Sequence, residues 1–360
     1  MLFTFIFEMT ISRNLSMRFL FFSNSFLISL FNKPLKATVV LLLVVAIVLI
    51  FPPQVKSYGY PENNSAYLSP QQTGPVYDLG GGGPDVDEAI QWMINKVREP
   101  RSYEKKVDVI VIRNSGGDGY NEPILEMDGV SSVKTLIISD REEASKENVV
   151  KNIEDAEVIF FAGGDQCQYL RNYLNTGVDR AVKSVIARGG AVGGTSAGAM
   201  IQSDFIFDAC SKTVTSETAL EDPYQDISLR QNFFHWNNLQ STVIDTHFYE
   251  RDRMGRLMTF VARLLRDGRS SDALGIGIDE GTSLIVDQNG LATVVGDNFV
   301  YFVLGDHLPK KCEPQKPLTF RNFKIWKKKS DETFDLSNRA SNNDYYKVSV
   351  KKGVILTDPY

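Results

Sequence analysis

Cysteine, histidine and net positive charge are all scarce in this chain of 360 residues, and each shortage closes a class of function. Three cysteines, Cys167, Cys210 and Cys312, lie far apart with no C-x-x-C pair. That removes zinc ribbons and thioredoxin-like redox sites and leaves at most one disulfide. Lys and Arg total 39 against 44 Asp and Glu, a formal charge of −5. Phosphate-backbone binding needs a basic excess, so nucleic acid is not an expected partner. Only His235, His247 and His307 are available to a mechanism that needs imidazole. There is no internal repeat, and the glycine run Gly80 to Gly83 is not a dinucleotide fingerprint, because G-x-G-x-x-G needs glycine where Asp85 stands. No metal or organic cofactor is called for.

What the chain does have is apolar content, 43% against 23% charged, enough for a domain of up to ~250 residues with appendages, or two smaller domains. Its first 57 residues are set apart by five cations against the single acid Glu8. Within them, Ala37 to Phe51 is a run of 15 residues in which only Thr38 is not apolar, preceded by Lys33 and Lys36 and stopped by Pro52 and Pro53. That is short for a bilayer span of ~20 residues and suits the core of a secretory signal, with a loosely A-x-A-like site at Val55 to Ser57. Residues 1–57 are therefore expected to be a signal peptide or membrane anchor, and 58–75 a linker rich in Ser, Asn, Gln and Pro. The folded part is then exported, periplasmic or extracellular, or anchored by one N-terminal segment, its only expected membrane contact. A homodimer is compatible with the sequence, which holds nothing that sets oligomeric state.

From Val76 onward, short apolar β-branched runs (VDVIVIR at Val107, VKTLIIS at Val133, EVIFFAGG at Glu157, AVGGT at Ala191) alternate with helical segments at Asp87 to Val97 and Asp179 to Arg188. This is the pattern of an α/β fold, a mostly parallel sheet with helices on both faces. Past residue 274 strands follow one another with turn signals such as Asn289-Gly290. Residues 76–307 form the expected main domain. The stretch 308–360, polar and rich in Lys, reads as an appendage.

The strongest local signal is Gly194-Thr195-Ser196-Ala197-Gly198, a G-x-S-x-G between a short strand and an apolar helix start. That is the layout of a nucleophile elbow, with Ser196 at a helix N-terminus where the free N–H of Ala197 favours developing negative charge. A serine hydroxyl needs a base, and the base needs an orienting group. Of the three histidines, His247 alone follows a short apolar strand and precedes a helix, the place where open α/β sheets gather ligands. The orienting acid is Glu280 or its neighbour Asp279, with Glu280 the better candidate. The turn Gly163-Gly164-Asp165-Gln166 offers an N–H at Gly164 for an oxyanion hole beside Ala197, and Gln166 for a polar group of the substrate. After His247, residues Met254, Leu257, Met258, Val261, Leu264 and Leu265 mark the buried face of a helix. Arg251, Arg253 and Arg256 lie off that face, where cations near a helix start oppose the macrodipole unless an anion binds there.

Taken together, GGDQ at 163, GGTSAGAM at 193, the string D-x-H-F-x-x-R-x-R-x-G-R-L from Asp245 and GIGIDEGT at 275 resemble the cyanophycinase branch of the dipeptidase E-like serine peptidases. The resemblance runs from about residue 76 to 305. It implies a fold like that of class I glutamine amidotransferases and a triad in the order Ser196, His247, Glu280. It also implies a pocket for a β-linked aspartyl-arginine unit lined by Gln166, Asp245, Arg251, Arg253 and Arg256. The chain departs from the pattern at Thr246, where the family usually carries Gln. The reading is a serine peptidase that cleaves an aspartyl-linked peptide bond through an acyl-enzyme. Its rivals are an aspartyl dipeptidase or other exopeptidase of the same fold, and a secreted binding protein without turnover.

Overall fold

The computed structural model describes residues 6–12, 15–20, 75–98, 104–339 and 344–360. The apolar run Ala37 to Phe51 and nearly all of the expected linker lie outside these residues. Among the described residues no helix is long and apolar enough to cross a membrane. The chain divides into two units, 1–67 and 68–360. In the first, β1 (Ile6–Ser12) and β2 (Leu15–Leu20) pair antiparallel.

The second unit is built on an eight-stranded sheet. Its strands are β3 (Val76–Gly80), β4 (Val107–Arg113), β5 (Val130–Ile137), β6 (Val158–Phe161), β7 (Ala191–Thr195), β12 (Thr282–Val286), β13 (Leu291–Gly296) and β17 (Thr333–Asp335), in the order β17-β13-β12-β3-β7-β6-β4-β5. The five strands from β3 to β5 run parallel, and β12, β13 and β17 extend that edge antiparallel. Period-two alternation explains the two layers of helices. Val109, Val111, Val158 and Phe160 face one core with the helix Asp87–Arg98. Ile110, Ile112, Ile159 and Phe161 face the other, with the helices Glu147–Asp155, Gln166–Tyr173 and Gly177–Ala187. Strands buried on both faces read as continuous apolar runs, which is why they were visible in the sequence.

The short strands β8 (Ile206–Phe207) and β9 (Leu229–Arg230) pair antiparallel, and a second sheet holds β10 (Thr242–Thr246), β11 (Ala273–Ile278), β14 (Val300–Gly305), β16 (Lys316–Lys328), β18 (Tyr346–Lys351) and β19 (Val354–Ile355), with β15 (Lys311–Glu313) paired to β16. Strands β10 and β11 are parallel, so their C-terminal ends, Thr246 and Ile278, lie side by side. The stretch 308–360 is not the polar appendage expected. It supplies β15 to β19, and Leu318, Phe320, Phe323, Ile325, Trp326, Val348 and Val350 are buried in the larger core. Its composition averages to polar because inward apolar residues alternate with outward Arg321, Asn322, Lys324 and Lys327 along β16.

Candidate active site

Strand β7 ends at Thr195, and the helix Ala197–Met200 starts two residues on, so Ser196 must turn the chain within one residue. It does so at φ +54° and ψ −121°, a conformation L residues rarely hold, costing on the order of 1–3 kcal/mol. The neighbouring glycine makes the turn possible: a Cβ on Gly198 would stand 2.1 Å from the Phe161 carbonyl oxygen. Ser196 Oγ lies 2.8 Å from His247 Nε2, and His247 Nδ1 lies 2.5 Å from Glu280 Oε1. The register of β10 on β11 accounts for the second contact, since His247 and Glu280 each follow one of these adjacent strand ends.

Asp279 faces elsewhere. It is buried, accepts the N–H groups of Tyr249 (3.0 Å) and Phe299 (3.2 Å), and is pushed up to about 6 by that burial. Of the two neighbouring acids, then, Glu280 is the one in contact with the imidazole. His235 sits on Asp204 and His307 on Asp306, both 2.7 Å from their carboxylates. The pKa of His247 is held below its ordinary 6.5, first by burial and then by the charges of Arg251 and Arg253, with Glu280 opposing them. A neutral imidazole beside a hydroxyl can take its proton; Glu280 fixes the tautomer that leaves Nε2 free to do so.

Gly163 and Gly164 follow β6 alongside the elbow. A Cβ on Gly163 would lie 3.6 Å from Ser196 Cβ. Among the described residues neither Gly164 N–H nor Ala197 N–H has an acceptor. Asp165 caps the following helix through Cys167 N–H at 2.8 Å, and half-buried Gln166 has Nε2 3.4 Å from the Phe207 carbonyl. One helical residue further on, Cys167 is bonded to Cys210 in a disulfide, with Cys312 buried and free.

The residues expected to line a pocket divide in two. Asp245 is 0% exposed and Arg256 3%, and they hold each other: Arg256 Nε and Nη2 donate to the Asp245 carboxylate at 2.7 and 2.6 Å. Arg253 adds a bond of 3.2 Å to Asp245 and one of 2.6 Å to the Thr246 carbonyl. The anion that the arginine placement called for is thus Asp245, inside the protein, and the expectation that Asp245 and Arg256 line a substrate pocket is corrected. Thr246 is fully buried as well, its hydroxyl without a partner among the described residues. Arg251 is exposed, and among the described residues its side chain has neither an ion pair nor a hydrogen bond. Breaking a buried, bidentate pair leaves an uncompensated charge, so Asp245→Ala is expected to lower stability by about 3–5 kcal/mol, read by chemical denaturation.

One feature of the site went unread in the sequence. The glycine run after β3 carries its backbone: Gly80 O accepts from Ser196 N–H (3.0 Å), Gly81 O from His247 N–H (2.7 Å) and Gly82 O from Gly281 N–H (2.9 Å), next to Glu280. The available signal was a run of glycines at the end of a parallel strand, where backbone must approach other backbone closely.

The model of peptidase family S51 matches residues 124–294, a stretch that holds Ser196, His247 and Glu280. The cyanophycinase of Nostoc sp. is 29% identical over 223 residues, covering 60% of this chain and 70% of that protein. Over that stretch the chain is similar to peptidase family S51. The cyanophycinase of Geminocystis herdmanii is 26% identical over 214 residues, covering 58% of this chain and 73% of that one. A solved peptidase from an acI-B1 actinobacterium has the same fold, with TM-score 0.50 and 19% identity over 73% of this chain and 98% of its own. These similarities mark the chain as a serine-type peptidase, cyanophycinase-like.

Proposed function

We propose that Ser196 is the nucleophile, His247 the general base and Glu280 its orienting partner, in a peptidase that cleaves the amide of an aspartyl-linked polymer or peptide. The observation that carries this reading is the unbroken hydrogen-bonded chain from Ser196 Oγ through both ring nitrogens of His247 to Glu280. In the reaction so assigned, Ser196 Oγ attacks the scissile carbonyl while its proton passes to His247 Nε2. The N–H groups of Ala197 and Gly164 receive the charge on the carbonyl oxygen. Collapse breaks the C–N bond, His247 returns the proton to the departing amine, and an ester on Ser196 remains. Water, deprotonated by the same imidazole, then releases the acid.

Acid specificity is assigned to Arg251, the exposed arginine beside His247, together with Gln166, which follows the Gly163-Gly164 turn. Arg251→Gln is expected to lower kcat/KM on aspartyl substrates about 10- to 100-fold, the loss of ~1.5–3 kcal/mol of charge-assisted hydrogen bonding. A neutral dipeptide measured alongside should change little; equal effects on both would remove Arg251 from recognition. The similarity to cyanophycinases supports a β-aspartyl-arginine polymer as substrate. Hydrolysis of cyanophycin beside a panel of aspartyl dipeptides tests it, and a preference for the dipeptides would favour the exopeptidase reading. Labelling of Ser196 by a fluorophosphonate separates enzyme from binding protein.

Export is part of the proposal. Its supports are the apolar run at Ala37 to Phe51 behind Lys33 and Lys36, and the Cys167–Cys210 disulfide, a bond that persists in oxidising compartments. Full-length, unprocessed protein in a reducing cytoplasm with both thiols free would refute it.

A further inference from the structure

The segment that carries His247 runs on through Phe248, Tyr249 and Asp252 into the helix Met254–Arg266, whose N-cap position, Arg253, offers no side-chain cap. A residue more than 100 positions away fills that role. Tyr360 Oη accepts the N–H of Met254 at 3.0 Å and lies 2.9 Å from Asp252 Oδ1, to which it donates. Its ring meets Tyr249 and Tyr301 edge-on, with centroids 5.2 and 5.6 Å apart, and Phe248 at 6.1 Å. Tyr360 is itself held, its N–H donating to Asp358, while Tyr346 Oη donates to the Pro359 carbonyl at 2.7 Å. On the other side of the same turn, Asp279 holds Tyr249 N–H. His247 stands at φ +48°, a conformation that must be maintained from outside the residue.

We propose that Tyr360 is a positioning residue for His247, its hydroxyl capping the helix after the turn and its ring fixing the turn against β11 and β14. Four of the residues that contact Tyr360, namely Phe248, Tyr249, Asp252 and Met254, lie within seven positions of the imidazole. The inference rests on the assignment of His247 as base. It lies outside the stretch matched by the family model, which stops at 294. The charged groups around the imidazole are Glu280 from the end of β11 and Arg251 and Arg253 from the turn itself, so a turn that loosens admits water and moves them all.

The test uses the full chain with Tyr360→Phe and Tyr360→Ala, and His247→Ala as reference. Tyr360→Phe keeps the ring and removes both hydrogen bonds. It is expected to lower kcat about 5- to 20-fold with KM unchanged, to slow fluorophosphonate labelling of Ser196 by a similar factor, and to move the acid limb of kcat/KM upward toward the ordinary imidazole value. Tyr360→Ala should do more of each. Should Tyr360→Ala fail to fold, Tyr360→Phe still decides the matter. If His247→Ala is inactive while Tyr360→Phe keeps kcat within twofold and leaves the acid limb in place, Tyr360 is only a packing residue and the inference is overturned. If His247→Ala stays active, the assignment of the base fails first, a distinguishable result.

Discussion

Ser196→Ala is expected to lower kcat by on the order of 10⁴- to 10⁶-fold while leaving the fold intact, because in the proposed reaction the hydroxyl carries the covalent route and little packing. His247→Ala should be comparably severe, since neither His235 nor His307 contacts the elbow. The double variant should be hardly worse than either single one, because nucleophile and base act as one unit; additive losses would assign them separate roles. Direction of pH dependence follows from the same contacts. Burial and two arginines hold His247 below 6.5, so kcat/KM should be flat near neutrality and fall only as pH drops below the usual imidazole range and the ring takes a proton. Glu280→Gln removes the group that raises His247, so the acid limb should move further down while the plateau also falls. A limb at or above 6.5 in the wild type would contradict the assignment. Circular dichroism and thermal melting on Ser196→Ala establish that the loss is chemical: a melting point shifted by more than a few degrees would leave the kinetics open to a folding explanation.

The legible parts of the molecule are those where one residue type has one physical reason. VDVIVIR and EVIFF announce strands because both of their faces are buried. G-x-S-x-G announces the elbow because, beside an L residue at positive φ, only glycine lets backbone approach within van der Waals distance. The arginines failed as signals for the opposite reason. Three cations near a helix start do demand an anion, but the pattern cannot say whether that anion is a substrate or Asp245, nine residues before the helix in the preceding strand. Long-range pairing sets the outcome, and it hid β16 and β18 as well, whose apolar residues find the core only when the register with β14 is known. Tyr360 is the extreme case, a residue more than 100 positions past His247 whose ring packs against the turn after it.

Gly82→Ala should cost catalysis heavily, although residue 82 has no side chain and no chemical role. A Cβ placed there would stand 2.3 Å from His247 Cε1 and 2.6 Å from Nε2, the nitrogen that faces Ser196. Neither backbone can retreat easily: Gly82 O is bonded to Gly281 N–H, and His247 N–H to Gly81 O. The soft coordinate is the ring, so it must rotate, and rotation takes Nε2 out of the line between Ser196 and Glu280. A displacement of about 1 Å costs on the order of 100-fold in rate, and kcat/KM is therefore expected to fall by at least that factor. Alanine at φ +94° adds strain of about 1–2 kcal/mol, lowering the melting temperature by a few degrees without unfolding the protein. Gly83→Ala is the internal comparison, since its Cβ would meet Glu280 Cβ at 2.9 Å at an exposed position, where the chain has room to shift. It should lose less activity for similar strain. If Gly82→Ala retained more than a tenth of wild-type kcat/KM, the glycine run would be no more than a tight turn. His247 would then have latitude that the geometry of β3, β10 and β11 denies it.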